Sequence, residues 1–114
     1  MSDTSAVVMV ASAAGEWRPS RVAGVSVKVL RADQATGGSS SLVRFEPGVK
    51  FPAHDHPAGE EVFVVEGEVT IGAHRLKPGD YLYTPPNAKH AAVSETGCVF
   101  LVTLPKPVVF VDKA

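Results

Sequence analysis

Two histidines two residues apart, His54 and His56, are followed by Glu60 and, further along, by His90. On an extended strand, residues two apart leave the same face, so the two imidazoles can meet one ligand. Glu60 follows His56 at an even spacing of four. Its carboxylate joins the two rings if the backbone stays extended through residues 57–59, or if a bend there preserves the convergence. His90 comes shortly after a turn-rich stretch and is the natural fourth ligand. Three imidazoles and a carboxylate suit one divalent ion: Fe, Zn, Mn, Ni or Cu. No thiolate is among them to select within that group. Four protein ligands leave coordination positions open, which favours chemistry or ligand sensing over a purely structural metal.

Taken singly, each of these side chains is an ordinary polar residue, exposed or satisfied by hydrogen bonds. The spacing in two blocks is what argues for a metal. Glu61 competes with Glu60, but on a strand it faces the opposite side. His74 stands beside Arg75 in the Gly72–Arg75 reversal and reads as a solvated loop residue. Cys98 sits in an apolar run, where a small buried hydrophobe is the usual role. Trp17, Phe45, Phe51, Phe63, Tyr83 and Phe100 are large aromatics near the blocks, and most belong in the core. Phe45, Phe51 and Tyr83 are the candidates to line a substrate pocket.

The stretch from Gly48 to Gly67 resembles the first motif of the cupin superfamily at positions 48, 54, 56, 60 and 67. The second cupin motif is met at Gly79, Pro85 and His90, with Asn87 in place of a glycine and Ser94 in place of an asparagine. Asparagine also tolerates the left-handed backbone, so the first departure is mild. The second removes a loop-capping hydrogen bond rather than a metal ligand. From Trp17 to about Leu104, the segments Trp-Arg-Pro, Phe-Glu-Pro-Gly, His-x-His-Pro-x-Gly-Glu-Glu, Pro-Pro-Asn and Glu-Thr-Gly-Cys-Val-Phe-Leu-Val are similar to one cupin family. It holds the sensory domain of zinc-binding anti-sigma factors and the acetylacetone-cleaving dioxygenases.

The resemblance implies an all-β fold, a single cupin domain over residues 1–114 built as an antiparallel jelly-roll β-barrel. Residues 1–16 would be an N-terminal strand or arm, 48–67 the first motif and 79–94 the second. It also implies His54, His56, Glu60 and His90 as ligands of one divalent metal. For function it implies a dioxygenase acting on an enolisable ketone or diketone. The acetylacetone-cleaving members use three histidines without a glutamate, and Glu60 departs from that pattern. A non-enzymatic, metal-dependent sensor is the alternative. With sixteen residues before Trp17 and one cysteine, such a sensor would act through a separate partner chain. A metal-independent small-molecule binder would leave the four ligands without a purpose.

At 114 residues the chain is long enough for one core but not two. Eleven basic residues against twelve acidic ones are scattered along it. No basic footprint for nucleic acid is present. A lone cysteine allows no intramolecular disulfide and gives no sign of an oxidising compartment. The run from Ala6 to Ala14 is apolar and small, but Asp3 rather than a basic residue precedes it. It therefore reads as a buried strand rather than a signal peptide. No apolar run approaches the ~20 residues that span a bilayer, and a cytoplasmic protein is expected.

The elements that position the ligands are short strands between Gly and Pro turns, and no helical period lasts three turns. Val25, Val27 and Val29 alternate with polar residues, as do Val43 and Phe45. Glu46-Pro47-Gly48-Val49 and Lys77-Pro78-Gly79-Asp80 both have the chemistry of a type II turn, with positive φ at the glycine. Each leads into a strand that ends near a ligand. Residues 61–66 and 68–71 are expected to flank Gly67 as a hairpin. Val62 and Val64 would face inward with Glu60, leaving Phe63 and Val65 outside, and Phe100 and Val102 would oppose Val99 and Leu101. With only the N-terminal strand Ala6–Ser12 and the tail Val108–Val111 to cover the outer face, a homodimer is expected.

Overall fold

The computed structural model describes residues 6–107 and the backbone of residues 109–110. The alternating valines and aromatics give strands β1 (Arg18–Pro19), β2 (Val25–Ala32), β3 (Ser39–Phe45), β4 (Val49–Asp55), β5 (Glu60–Gly67) and β6 (Val69–Ile71). They continue as β7 (His74–Leu76), β8 (Tyr81–Thr84), β9 (Lys89–Ser94), β10 (Cys98–Leu104) and β11 (Val109–Phe110). Two antiparallel sheets result, one of six strands in the order β1-β2-β3-β10-β5-β8 and one of five in the order β11-β4-β9-β6-β7. Among the described residues no ladder joins the two sheets, so the jelly roll is a two-layer sandwich with its core between the layers.

The inward faces follow the period of two. On β5 Val62 and Val64 are fully buried, while Phe63 and Val65 are about half exposed. Phe100 and Val102 on β10 are buried beside them, and Val69, Ile71 and Ala92 close the core from the five-stranded sheet. Each such side chain contributes roughly 1.5–3 kcal/mol relative to leaving it in water.

Both Pro-Gly turns form as their sequences predict. Val49 N–H donates to Glu46 O at 3.2 Å and Asp80 N–H to Lys77 O at 2.9 Å. The central glycines carry φ of 84° at Gly48 and 91° at Gly79. Asn87 takes φ of 69°, the single non-glycine with positive φ among the described residues. The glycine of the second motif is thus replaced by a residue type whose short polar side chain also tolerates this backbone.

Several expectations are corrected. Gly67 does not close a hairpin: β5 and β6 belong to different sheets, and the chain crosses between layers at Gly67 and Glu68. A Cβ on Gly67 would overlap the Gly97 carbonyl, so the crossing needs the missing side chain as well as its φ of 69°. Residues 6–11 form no strand. Val7 and Met9 are 95% and 82% exposed, because this segment meets no ladder partner and runs as an arm. Lys28 Nζ holds the arm's far end through Ser12 O at 2.7 Å. Trp17 lies outside the core, with Lys28 Nζ and the Arg44 guanidinium 4.7 and 4.5 Å from its ring centre. His74 is exposed as expected, but on β7 rather than in the turn. Val108 and Val111 of the expected tail strand lie outside the described residues, and Val109 and Phe110 pair with Asp55 and His54 of β4.

Candidate metal centre

The site is assembled across the sandwich. His54 on β4 and His90 on β9 are direct partners in the five-stranded sheet. A register shift between Phe51 and His54, at Pro52-Ala53, precedes this pair. Proline cannot donate to a ladder, which is the physical reason the strand breaks step there. His56 falls one residue past the end of β4. The backbone then turns, with Gly59 N–H donating to His56 O at 3.1 Å and Gly59 at φ 87°. That turn carries Glu60 into the first position of β5, in the opposite sheet. Of the two ways in which the spacing could converge, the structure takes the bend.

The ligand atoms of His54, His56, Glu60 and His90 all lie within 4.8 Å of one another. Donors on opposite sides of an ion bound at ~2.1 Å lie about 4.2 Å apart, so the cluster is close to the size one ion requires. His54 Nδ1–H donates to Pro52 O at 2.9 Å and His56 Nδ1–H to Ala88 O at 3.0 Å. Each bond fixes the tautomer whose Nε2 lone pair faces the centre. Neither backbone oxygen was foreseeable from the spacing of ligand residue types, because a carbonyl belongs to every residue.

The strongest indication of fit is what these atoms do not bond. His56 Nε2 lies 3.2 Å and His90 Nε2 3.4 Å from Glu60 Oε1. Yet the buried His56 Nε2 and Glu60 Oε1 lack hydrogen-bond geometry with any partner. Close approach without alignment means that the donors point at a common centre rather than at each other. Buried polar atoms left so would cost about 1–3 kcal/mol apiece, which an ion would relieve. The donor set therefore fits one divalent ion, and such an ion would supply Lewis-acid or redox chemistry at its remaining positions.

Electrostatics agree with this reading. Burial pushes the Glu60 carboxyl up, but the His56 and His90 rings outweigh it and hold the group down at about 2. Burial holds His54 below the ordinary histidine value, against the pull of the Pro52 carbonyl. Burial also acts to lower His56, but the nearby Glu60 carboxylate and the hydrogen bond to the Ala88 carbonyl prevail and raise it.

An apolar cavity of about 260 Å³ adjoins the cluster, with His54, Glu60 and His90 in its wall. Phe45 and Phe51 line it, stacked with ring centres 6.1 Å apart, together with Phe100 and inward valines of β2, β3 and β10. Tyr83, the third pocket candidate, lies elsewhere: it pairs with Glu61 on the outer face and is 55% exposed. Its place in the sequence beside Thr84 hid this, since one step along a strand reverses the face. Glu61 also points outward and accepts a hydrogen bond from Tyr81 Oη at 2.8 Å. Cys98 is buried, and burial pushes its thiol up, as an inert core residue requires. Ser94 is fully buried and donates from Oγ to Glu68 O at 2.5 Å, tying β9 to the chain entering β6. Ser20 and Arg21 also line the cavity, and no motif pointed to them.

A two-sheet jelly roll with three histidines and a glutamate clustered between its layers defines a cupin. Residues 5–106 match the family described as the ChrR cupin-like domain, and the chain belongs to that family. It is 30% identical over 86 residues to the DNA damage-repair/toleration protein DRT102 of Arabidopsis thaliana. That match covers 70% of this chain and 26% of the relative, so the chain spans about a quarter of the curated protein it matches. Among solved structures, it is similar to a Methylibium petroleiphilum protein proposed to be an acetylacetone dioxygenase (TM-score 0.88, 20% identity, 98% of this chain and 85% of that one). An acetylacetone dioxygenase from Acinetobacter johnsonii is also similar (TM-score 0.82, 16% identity, 99% and 82%). So is a chain of the Rhodobacter sphaeroides complex of SigE with the anti-sigma factor ChrR (TM-score 0.69, 23% identity, 78% and 49%). At these identities the structural likenesses establish the fold alone.

Proposed function

We propose that this cupin holds one divalent metal on His54, His56, Glu60 and His90 and acts as a dioxygenase on a small enolisable ketone or diketone. The observation that carries this reading is the apolar cavity whose wall includes three of the four ligands. A structural metal has no need of such a space, whereas a substrate must reach its open positions. The phenyl rings of Phe45 and Phe51 would exclude water and hold an aliphatic body against the ligands. Glu60, kept ionised, would serve as a charged ligand and not as the base that keeps a substrate proton, since a carboxylate near 2 is a weak acceptor at neutral pH. The fold is one that an acetylacetone dioxygenase, and a protein proposed to be one, also have.

The test is metal analysis of the purified protein, followed by oxygen uptake with pentane-2,4-dione after loading with each of Fe(II), Mn(II), Ni(II), Cu(II) and Zn(II). Substrate-dependent uptake with iron supports the enzyme. Ligand binding without uptake for any ion supports the second reading, a metal-dependent sensor acting through a separate chain. The match to the ChrR cupin-like family and the presence of Glu60 beside the three histidines favour that alternative.

The protein is further read as a homodimer. Tyr81, Phe63, Leu101 and Leu42 are cross-strand partners in one row on the outer face of the six-stranded sheet. Phe63, Tyr81 and the apolar arm of residues 7–10 stand exposed in one chain, and Leu42 and Leu101 half-buried, as expected of surfaces that a second copy covers.

A further inference from the structure

The cavity runs along the strands, with the ligands at one end. In the six-stranded sheet Glu60 opens β5, and its neighbour Glu61 pairs with Thr103 near the end of β10. At the other end of that sheet Val25 pairs with Phe45, Phe45 with Cys98 and Cys98 with Gly67. Ser20 and Arg21, the lining's polar residues outside the ligands, belong to the turn before Val25, where Ser20 N–H donates to Val25 O at 3.0 Å. That turn is therefore remote from the metal. The five-stranded sheet gives the same direction. His54 and His90 form one cross-strand pair, and the next inward-facing row is Phe51, Ala92 and Ile71. All three line the cavity, and Ala92 is only 6% exposed. Two residues after His90, its methyl leaves the same face about 7 Å further along β9.

Ala92 has the smallest side chain in this lining. Set between a phenyl ring and a branched chain, it leaves room beside the ligands. The opposite wall is equally apolar: Val27, Val43 and Phe100 are successive cross-strand partners on β2, β3 and β10, and all three line the cavity. A polar group lodged between these walls would lose its water and gain no partner. At the roughly 30 Å³ that a water molecule takes in the liquid, a cavity of about 260 Å³ holds about eight or nine groups of heavy-atom size. A five-carbon diketone has only a methyl group on each chelating carbonyl with which to fill that space. We propose that Ala92 sets the size limit of the site, and that the substrate carries an apolar alkyl or aryl group of about six or more carbons beside its metal-binding oxygens. This inference rests on the metal-site reading above and adds the substrate class and the residue that sets specificity.

Acetohydroxamic acid and octanohydroxamic acid share a metal-binding head and differ only in the length of the alkyl tail. Affinities of both are measured by calorimetry on the zinc-loaded full chain, for wild type, Ala92→Val and Ala92→Leu. Wild type is expected to bind the eight-carbon probe at least ~10-fold more tightly, a ratio that about two buried methylenes already supply. Leucine at this position adds three carbons and fills roughly a third of the cavity. Ala92→Leu should therefore lose most of the preference and Ala92→Val part of it, while the acetyl probe binds all three proteins alike. Thermal melts report folding, and the valine variant carries the comparison if leucine unfolds the chain. Equal binding of the two probes by wild type overturns the inference and leaves the metal site standing. The full wild-type preference in folded Ala92→Leu overturns Ala92 as the limit. Undiminished binding of the octanoyl probe to zinc-free protein places its tail on the exposed outer face and overturns the inference as well. Failure of both probes to bind the loaded protein overturns the metal-site reading and this inference with it.

Discussion

At the scale of single residues, the ligand cluster makes predictions that need no knowledge of substrate. His56→Ala and His90→Ala are expected to remove most bound metal, with affinity falling well beyond the ~10- to 100-fold typical of changes behind the ligands. His74→Ala, exposed on β7, should leave metal content unchanged; equal metal in all three variants by elemental analysis would refute the assignment. Protons give a second check. His56 is raised above the ordinary histidine value in the metal-free protein, so at pH ~6.5, where an ordinary histidine is half protonated, it is more than half protonated and a bound ion must displace that proton. Calorimetric enthalpies of zinc binding should therefore vary with the ionisation enthalpy of the buffer. The stability of the metal-free protein carries opposite signs at its two ends. Glu60, held at about 2, contributes stability that is present above its unfolded value of ~4.3 and is lost as pH falls toward 2. His56 contributes stability that is full below ~6.5 and is lost as pH rises through its elevated value. His54, held low by burial, opposes that trend: its contribution is present above ~6.5 and lost on acidification. Glu60→Gln should flatten the acid limb of a stability-versus-pH profile measured by urea melts.

At the scale of elements, the glycines divide by what surrounds them. Gly79 has φ of 91° and no neighbouring atom within 4 Å of where a Cβ would stand, so Gly79→Ala should cost only the backbone strain, ~1–2 kcal/mol. Gly67 has both positive φ and the Gly97 carbonyl in the way. Gly67→Ala must move one layer against the other, and about 3 kcal/mol or more is expected. Chemical denaturation of the two variants decides it, and equal costs would show that the crossing between sheets is not tight. The Pro-Gly turns and Asn87 were legible from local chemistry, because a turn is decided by its own four residues. The sheet change at Gly67 was not, because a local Gly signal marks a break in a strand without saying which partners lie on either side.

At the scale of the whole molecule, the arm and the apolar row on the outer sheet point to association. Val7, Val8, Met9 and Val10 are 95%, 61%, 82% and 48% exposed, and Phe63, Val65, Tyr81 and Tyr83 lie between 45% and 56%. Sedimentation equilibrium at micromolar concentration is expected to give twice the 12.0 kDa chain mass, with ~800 Å² buried per partner as an ordinary value. Deleting residues 6–10 should weaken the association. A monomer for the intact chain would show that these surfaces remain in water. Among the described residues no helix is long and apolar enough to cross a membrane.

The sequence by itself determined the ligand types, the two Pro-Gly turns and the inward face of β5 and β10, because each follows from residue chemistry or a period of two. It also left Glu60 favoured over Glu61, by strand face and by the spacing to Gly67. Only the tertiary structure decided that Glu60 arrives from the opposite sheet, that Pro52 and Ala88 carbonyls set the histidine tautomers and that Tyr83 turns away from the cavity. These depend on which strands become neighbours across the sandwich. That pairing is set by the summed burial of the whole chain, and no residue carries it in its own neighbourhood.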